Sequence, residues 1–183
     1  MPPWWPSGKG AWGCYQSHTN LIRSCIDQQL GDVLIFEDDA VLRENFLKPM
    51  YKFIETLPED WDMFYLGGQL LYYKIHPPIA VTPTHFKVWN VNRLHAYGIR
   101  QRNLGLLYNH LLNPENWSIP EMRRGQGGCD HRIGQLHHEM NVYAPRQWFF
   151  GQNGGRSDIT GFRFGKIFWD WTKKHKSPID KTV

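Results

Sequence analysis

The chain is poor in cysteine, in long apolar runs and in clustered charge, and each shortage narrows what it can be. Its 183 residues hold three cysteines, Cys14, Cys25 and Cys129. An odd number without C-x-x-C spacing supports neither a disulfide framework nor a zinc knuckle, and predicts free thiols in a reducing compartment. The longest apolar stretches reach only a few residues, against roughly 20 for a membrane-spanning helix. The opening MPPWWPSGKG lacks the basic-then-apolar pattern of a signal peptide, so the expectation is a cytoplasmic protein without a membrane span. The net charge of +4 and pI of about 9.0 suit an anionic partner. The basic residues are scattered, however, and only WTKKHK forms a run, which favours a solvated tail over a nucleic-acid patch.

What the chain has in quantity is aromatic side chains, 15% of residues with nine Trp, beside an ordinary 41% hydrophobic and 21% charged content. That composition fits one globular domain over 1–183, with a Pro/Trp-rich lead at 1–9 and a basic aromatic tail at 160–183. YQSHTNLIRSCIDQQL places Leu21, Ile22, Cys25, Ile26 and Leu30 at helical spacing, stopped by Gly31. VLIF reads as a short strand buried on both faces. ENFLKPMYKFIETL reads as a helix in which Pro49 marks a kink or a new first turn. DMFYLGGQ, FKVWNV, LHAYGI and NVYAP read as strands, QRNLGLLYNHLL and CDHRIGQLHHEM as helices, and ENWSIPEMRRGQGG as a mobile, Gly-rich flap. The alternation of strands and helices predicts an α/β fold with a mostly parallel sheet flanked by helices.

One stretch carries chemistry: in GDVLIFEDDAVL, Glu37, Asp38 and Asp39 follow directly on VLIF. Open α/β sheets bind ligands beyond the carboxyl ends of their strands. Carboxylates at alternate positions are hard ligands suited to Mg²⁺ or Mn²⁺. The competing reading is that these acids cap the next helix or solvate a turn.

The surrounding residues bear on that choice. Gly10, Gly13, Cys14, Ser17 and His18 form a G-x-x-G-C-x-x-S-H pattern before E-D-D. Asp62, Leu66 and Gly67, then His95, Ala96 and Tyr97, follow it in order. Together with Asp130 in CDHRIG and Gln152, Ser157 and Asp158 in GQNGGRSDI, they resemble the family 25 glycosyltransferases, which include lipopolysaccharide and collagen galactosyltransferases. The resemblance runs from residue 10 to about 160. It implies a GT-A (Rossmann-like) fold, a nucleotide-sugar donor, UDP-linked, a divalent metal, Mn²⁺ or Mg²⁺, and inverting transfer of a hexose to a saccharide or other hydroxylated acceptor. Family members open with a further strand–helix–strand unit, whereas little precedes Gly10 here, so the expected fold is N-terminally truncated.

The resemblance puts the metal on the acidic motif, here Glu37 and Asp39, with a third ligand to come from Asp158, His137 or His138; Ser17, His18, Asp38, His95, Gln152 and Ser157 are the candidates for the donor. Inversion needs a base for the acceptor hydroxyl, and Asp130 is the candidate, with a helix N-cap as its plain alternative. Ser17 and His18, near a helix start, suit phosphate, although His18 packing against Trp12 or Tyr15 fits equally. His95 reads as pocket and Tyr97 as core. Trp4, Trp5, Trp117 and Trp148 are either sugar-stacking surfaces or core.

Overall fold

The computed structural model describes residues 1, 8–117, 128–157, 161 and 163–171, with only the backbone at Trp117 and Phe164. Trp4, Trp5, Asp158, most of the expected flap and the basic tail lie outside them, as does the side chain of Trp117.

Helix α1 spans Lys9–Asp27 and begins after the extended residue Gly8, well before the sequence suggests. Gly10 and Gly13 weaken its first turns, but Ala11, Tyr15, His18, Ile22 and Cys25 recur at three- and four-residue intervals and are buried together. It stops where Gln29 turns into the left-handed region at φ 52, two residues before the expected Gly31. Next come β1 (Val33–Phe36), β2 (Ala40–Leu42) and α2 (Leu47–Glu55). Pro49 falls in the first turn of α2, where a missing N–H loses nothing. β3 (Met63–Leu70), β4 (Ile79–Ala80), β5 (His85–Lys87) and β6 (Val91–Ile99) lead into α3 (Gln101–Leu112) and a 3-10 turn at Pro114–Trp117. α4 (Cys129–Leu136), β7 (Val142–Pro145), β8 (Phe150–Gln152), β9 (Gly155–Arg156) and β10 (Arg163–Phe164) complete the described chain.

The main sheet has six strands in the order β1-β6-β3-β7-β5-β4. Its pairings correct the expectation of a mostly parallel sheet: only β3 and β7 pair in parallel, and the other four pairings are antiparallel. The cause is β6. Strands β1, β3 and β7 do run the same way, but β3 returns through the β4–β5 hairpin rather than a helix, and β6 inserts antiparallel between β1 and β3. A second correction concerns VLIF. β1 lies at the sheet edge, with Leu34 41% and Phe36 44% exposed, so it is not buried on both faces. Smaller two-stranded sheets pair β2 with β8 and β9 with β10.

Alternation along β3 feeds two cores. Met63 and Tyr65 join Ile22, Tyr97, Leu107, Ile133 and the rest of the α1, α3 and α4 layer. Phe64 and Leu66 pack with Met50 and Phe53 of α2 and with Phe149. No helix among the described residues is long and apolar enough to cross a membrane.

Asp62 locks the end of β3 away from the acidic turn. Its carboxylate accepts hydrogen bonds from Arg102, from Asn103 at 2.7 Å and from the backbone N–H of Asn141 at 2.9 Å. Burial opposes ionisation, but these donors outweigh it and hold the carboxyl below the ordinary 3.8. A carboxylate depressed by folding stabilises above its unfolded value, and that stability is lost as pH falls through the folded value. Asp62→Asn is therefore expected to destabilise by about 1–3 kcal/mol near neutrality. The difference from wild type should shrink in urea melts run below pH 3.8, the ordinary carboxyl value; an undiminished difference there would contradict this role.

Candidate active site at the acidic turn

Glu37 to Asp39 form the turn between β1 and β2, closed by a hydrogen bond from Ala40 N–H to the Glu37 carbonyl at 3.1 Å. The turn is held from outside as well. Glu37 N–H donates to the carbonyl of His95 on β6, and Asn153 N–H donates to the carbonyl of Asp39 at 2.7 Å. The acids thus cap no helix, because β2 rather than a helix follows them. They stand at the carboxyl end of β1, level with Gly67 within β3 and close to the carboxyl end of β7.

The turn sorts its three carboxylates. Asp38 is exposed, whereas Glu37 and Asp39 are half-buried and converge on the side-chain amide of Gln152. That amide donates to Asp39 Oδ2 at 3.1 Å and to Glu37 Oε2 at 3.4 Å. Burial first, then the neighbouring Glu37 charge, push the Asp39 carboxyl above its ordinary value, and the Gln152 amide only partly offsets them. Two carboxylates held together by one neutral amide make an under-compensated anionic pair of hard oxygens, which fits Mg²⁺ or Mn²⁺.

Glu37 also faces α1. Its Oε1 lies 3.2 Å from His18 Nε2, and His18 Nδ1 lies 2.8 Å from the buried Tyr97 hydroxyl. One turn earlier on the same helix face stands Cys14. Its thiol is pushed up to about 12 by burial first and then by the negative charges of Glu37, Asp130 and Asp39. α1 begins at Lys9, so Ser17 and His18 lie in its interior and cannot bind phosphate through a helix N-terminus. Ser17 is exposed, off the buried stripe.

β6 supplies the opposite wall. Gly67 pairs with Ala96 and Gln69 with Asn92, so Arg93, Leu94 and His95 of β6 oppose Gly68 alone. Such a bulge re-aims side chains, and within it Arg93 adopts φ 73, a costly conformation for a non-glycine residue. Asp130 Oδ2 accepts from Arg93 N–H at 3.2 Å, and the Arg93 guanidinium lies 4.8 Å over the Trp169 ring. Its Nε is buried with no hydrogen-bond partner among the described residues. The sequence reading missed Arg93, because nothing in NRLHAYG marks a bulge. It also passed over Cys14, although a Cys-x-x-x-His helical pair was legible.

The other predicted residues divide. Asp130 lies in the first turn of α4 but is not its N-cap, which is Gly128. Burial works against its ionisation, yet His131 and the Arg93 backbone hold its carboxyl below the ordinary value. His95 is fully buried rather than open to a pocket. Nε2 donates to the Phe150 carbonyl, the ring packs near Trp169, and burial lowers its pKa to about 4. A Cβ on Gly67 would collide with this ring and with the Phe150 carbonyl, so glycine is required there. Tyr97 is core, as expected. His137 is buried with both ring nitrogens engaged, by Tyr65 and Val91 N–H, and His138 is exposed beside His76; neither reaches the acidic turn as a ligand. Trp148 is wholly buried, donating to the Trp169 carbonyl, so it offers no sugar platform. Ser157 lies beyond β9, where its carbonyl accepts from Gly161 N–H.

The arrangement is an α/β domain with an acidic turn at the carboxyl end of β1, two of whose carboxylates meet on Gln152. Residues 7–96, just under half of the chain, match the model of glycosyltransferase family 25 (LPS biosynthesis protein), so the resemblance holds over that stretch. The chain is 29% identical over 72 residues to human procollagen galactosyltransferase 2, covering 38% of this chain and 12% of that protein. It is 36% identical over 62 residues to a rat probable inactive glycosyltransferase 25 family member 3, covering 32% and 11%. It is 32% identical over 65 residues to zebrafish (Danio rerio) procollagen galactosyltransferase 1, covering 34% and 11%. The matches thus span only about a tenth of the length of these relatives.

The electrostatics of the turn can be tested without substrate. A carboxyl raised by folding stabilises while protonated, below its unfolded value, and this is lost as pH rises through the folded value. At neutral pH ionised Asp39 is therefore a burden on the metal-free protein. Asp39→Asn should stabilise the protein slightly in chelator, by less than about 1 kcal/mol given its partial exposure. If the pair holds Mn²⁺, wild type should gain stability on adding the cation and Asp39→Asn should gain far less, measured by calorimetric melts with and without Mn²⁺.

Proposed function

We propose that this domain transfers a hexose, with galactose favoured, from a UDP-linked donor to an acceptor hydroxyl, with inversion, in a reaction dependent on Mn²⁺ or Mg²⁺. The observation that carries the reading is the convergence of Glu37 and Asp39 on one amide at the strand ends, within residues that match the family. The galactosyltransferases among the relatives suggest the sugar, and the family's link to lipopolysaccharide biosynthesis suggests envelope saccharide synthesis as a setting.

Glu37 and Asp39 would hold the cation, which supplies Lewis-acid neutralisation of the departing diphosphate. The chain's own residues do the rest. Gln152 keeps the two carboxylates together and in register. Arg93, lifted out of β6 by the bulge and stacked on Trp169, presents a guanidinium suited to a phosphate oxygen. His18, fixed between Tyr97 and Glu37, orients the latter. Asp130 takes the proton of the acceptor hydroxyl as its oxygen bonds to the anomeric carbon. The donors on both its oxygens keep it ionised and aimed, at some loss of basicity.

Turnover of UDP-galactose with Mn²⁺ tests the assignment. Asp130→Asn is expected to lower kcat by about 10²–10⁴, and Asp39→Ala to abolish the Mn²⁺ dependence; an active enzyme whose two variants both retain full activity would refute it. Arg93→Gly relieves the backbone while removing the cation. It should weaken UDP binding about tenfold or more with little change in melting temperature, read by titration calorimetry and thermal melts.

The similarity to an inactive family member favours one second reading, a domain that binds the nucleotide without catalysis. UDP and Mn²⁺ binding without turnover on any donor would favour it over the enzyme.

A further inference from the structure

The side of Glu37 turned away from Asp39 belongs to a different set of donors. Cys14 Sγ, a His18 ring nitrogen and a Glu37 carboxylate oxygen all lie within 4.8 Å of one another. We propose that Cys14, His18 and Glu37 form a zinc site with three protein ligands and an open fourth position.

Five observations converge on it. Cys14 and His18 are four residues apart on α1, so their side chains meet on one face. α1 is anchored by its buried stripe and by the Tyr15 hydroxyl bond to the Leu111 carbonyl, and Glu37 is anchored through its N–H to β6. The ligands therefore come from rigid elements. Zinc–ligand lengths put neighbouring donors roughly 3.3–3.8 Å apart. His18 Nε2 and Glu37 Oε1 are already 3.2 Å apart, and the thiol lies within 4.8 Å of both side chains' ligand atoms. His18 Nδ1 bonds the Tyr97 hydroxyl, the outer contact that typically fixes the tautomer and direction of a metal-binding imidazole. Finally, a sulfur, nitrogen and oxygen set selects zinc over the hard cations suited to Glu37 and Asp39.

Binding forms a sulfur–zinc bond and releases the Cys14 thiol proton to solvent. The inference does not rest on glycosyl transfer: it uses Glu37 Oε1, whereas the acidic pair faces Gln152 through Oε2.

Zinc K-edge X-ray absorption on the full chain loaded with one equivalent of Zn²⁺ tests the site directly. The expected shell holds one sulfur at about 2.3 Å among nitrogen and oxygen donors, and Co²⁺ in its place should show thiolate-to-metal charge transfer. A shell of nitrogen and oxygen alone would overturn the proposal. Cys14→Ser should lose the charge-transfer band and at least tenfold in zinc affinity, while Asp39→Asn keeps both. Loss of the band in Asp39→Asn would instead place the cation on the acidic pair and also overturn it. Failure of UDP-sugar turnover would leave these metal readouts unmoved.

Discussion

The structure depends on β6 being paired along both edges. It runs antiparallel between β1 and β3, and all but one of its nine residues are buried. Nearly every site residue is placed by reference to it. The His95 carbonyl holds Glu37, the Tyr97 hydroxyl holds His18, and the bulge lifts Arg93 towards Asp130. A backbone polar group left unpaired in this interior would be costly, so the strand's position is strongly determined and the turn inherits it.

The site itself is organised by negative charge that the protein does not fully compensate. The charges of Glu37, Asp39 and Asp130 all act on the Cys14 thiol, and among the described residues Glu37 meets His18, Asp130 meets His131 and Arg93 N–H, and Asp39 meets only the neutral Gln152 amide by side chain. Glu37 stands at the junction, one oxygen turned to a hard-oxygen pair and the other to an imidazole and thiol. The two proposed cation sites would thus lie on opposite sides of a single side chain. The C-terminal residues 167–171 close the floor. Ile167 bridges to Gln152, Trp169 stacks under Arg93, and buried Asp170 pairs with Arg43.

Much of this was legible. The helical stripe of α1, the extent of VLIF as a strand, α3 and the position of E-D-D at a strand end follow from periodicity and from local residue chemistry. The choice of Glu37 and Asp39 as the paired carboxylates followed from their alternate positions, although what brings them together was not legible. The errors have a common origin. Parallel pairing was inferred from alternating helices and strands, but pairing direction is a property of which strands become neighbours. His137, His138 and Trp148 looked available, yet one imidazole had both nitrogens taken by core partners, one lay on the far surface, and the indole was enclosed. Arg93 could not be found because a bulge is a mismatch between two strands distant in sequence.

By itself the sequence determined the short-range facts: which segments are helices, where the acids fall relative to a strand, which cysteine and histidine share a helical face, and the ordered motifs of family 25. Those depend on interactions between residues a few positions apart, or on patterns written directly in the chain. Only the tertiary structure decided that β6 would split β1 from β3, that Gln152 would arrive from more than a hundred residues away to hold Glu37 and Asp39, and that Tyr97 would orient His18. Such contacts arise when burial and backbone pairing are satisfied over the whole domain at once, and no local stretch contains that condition.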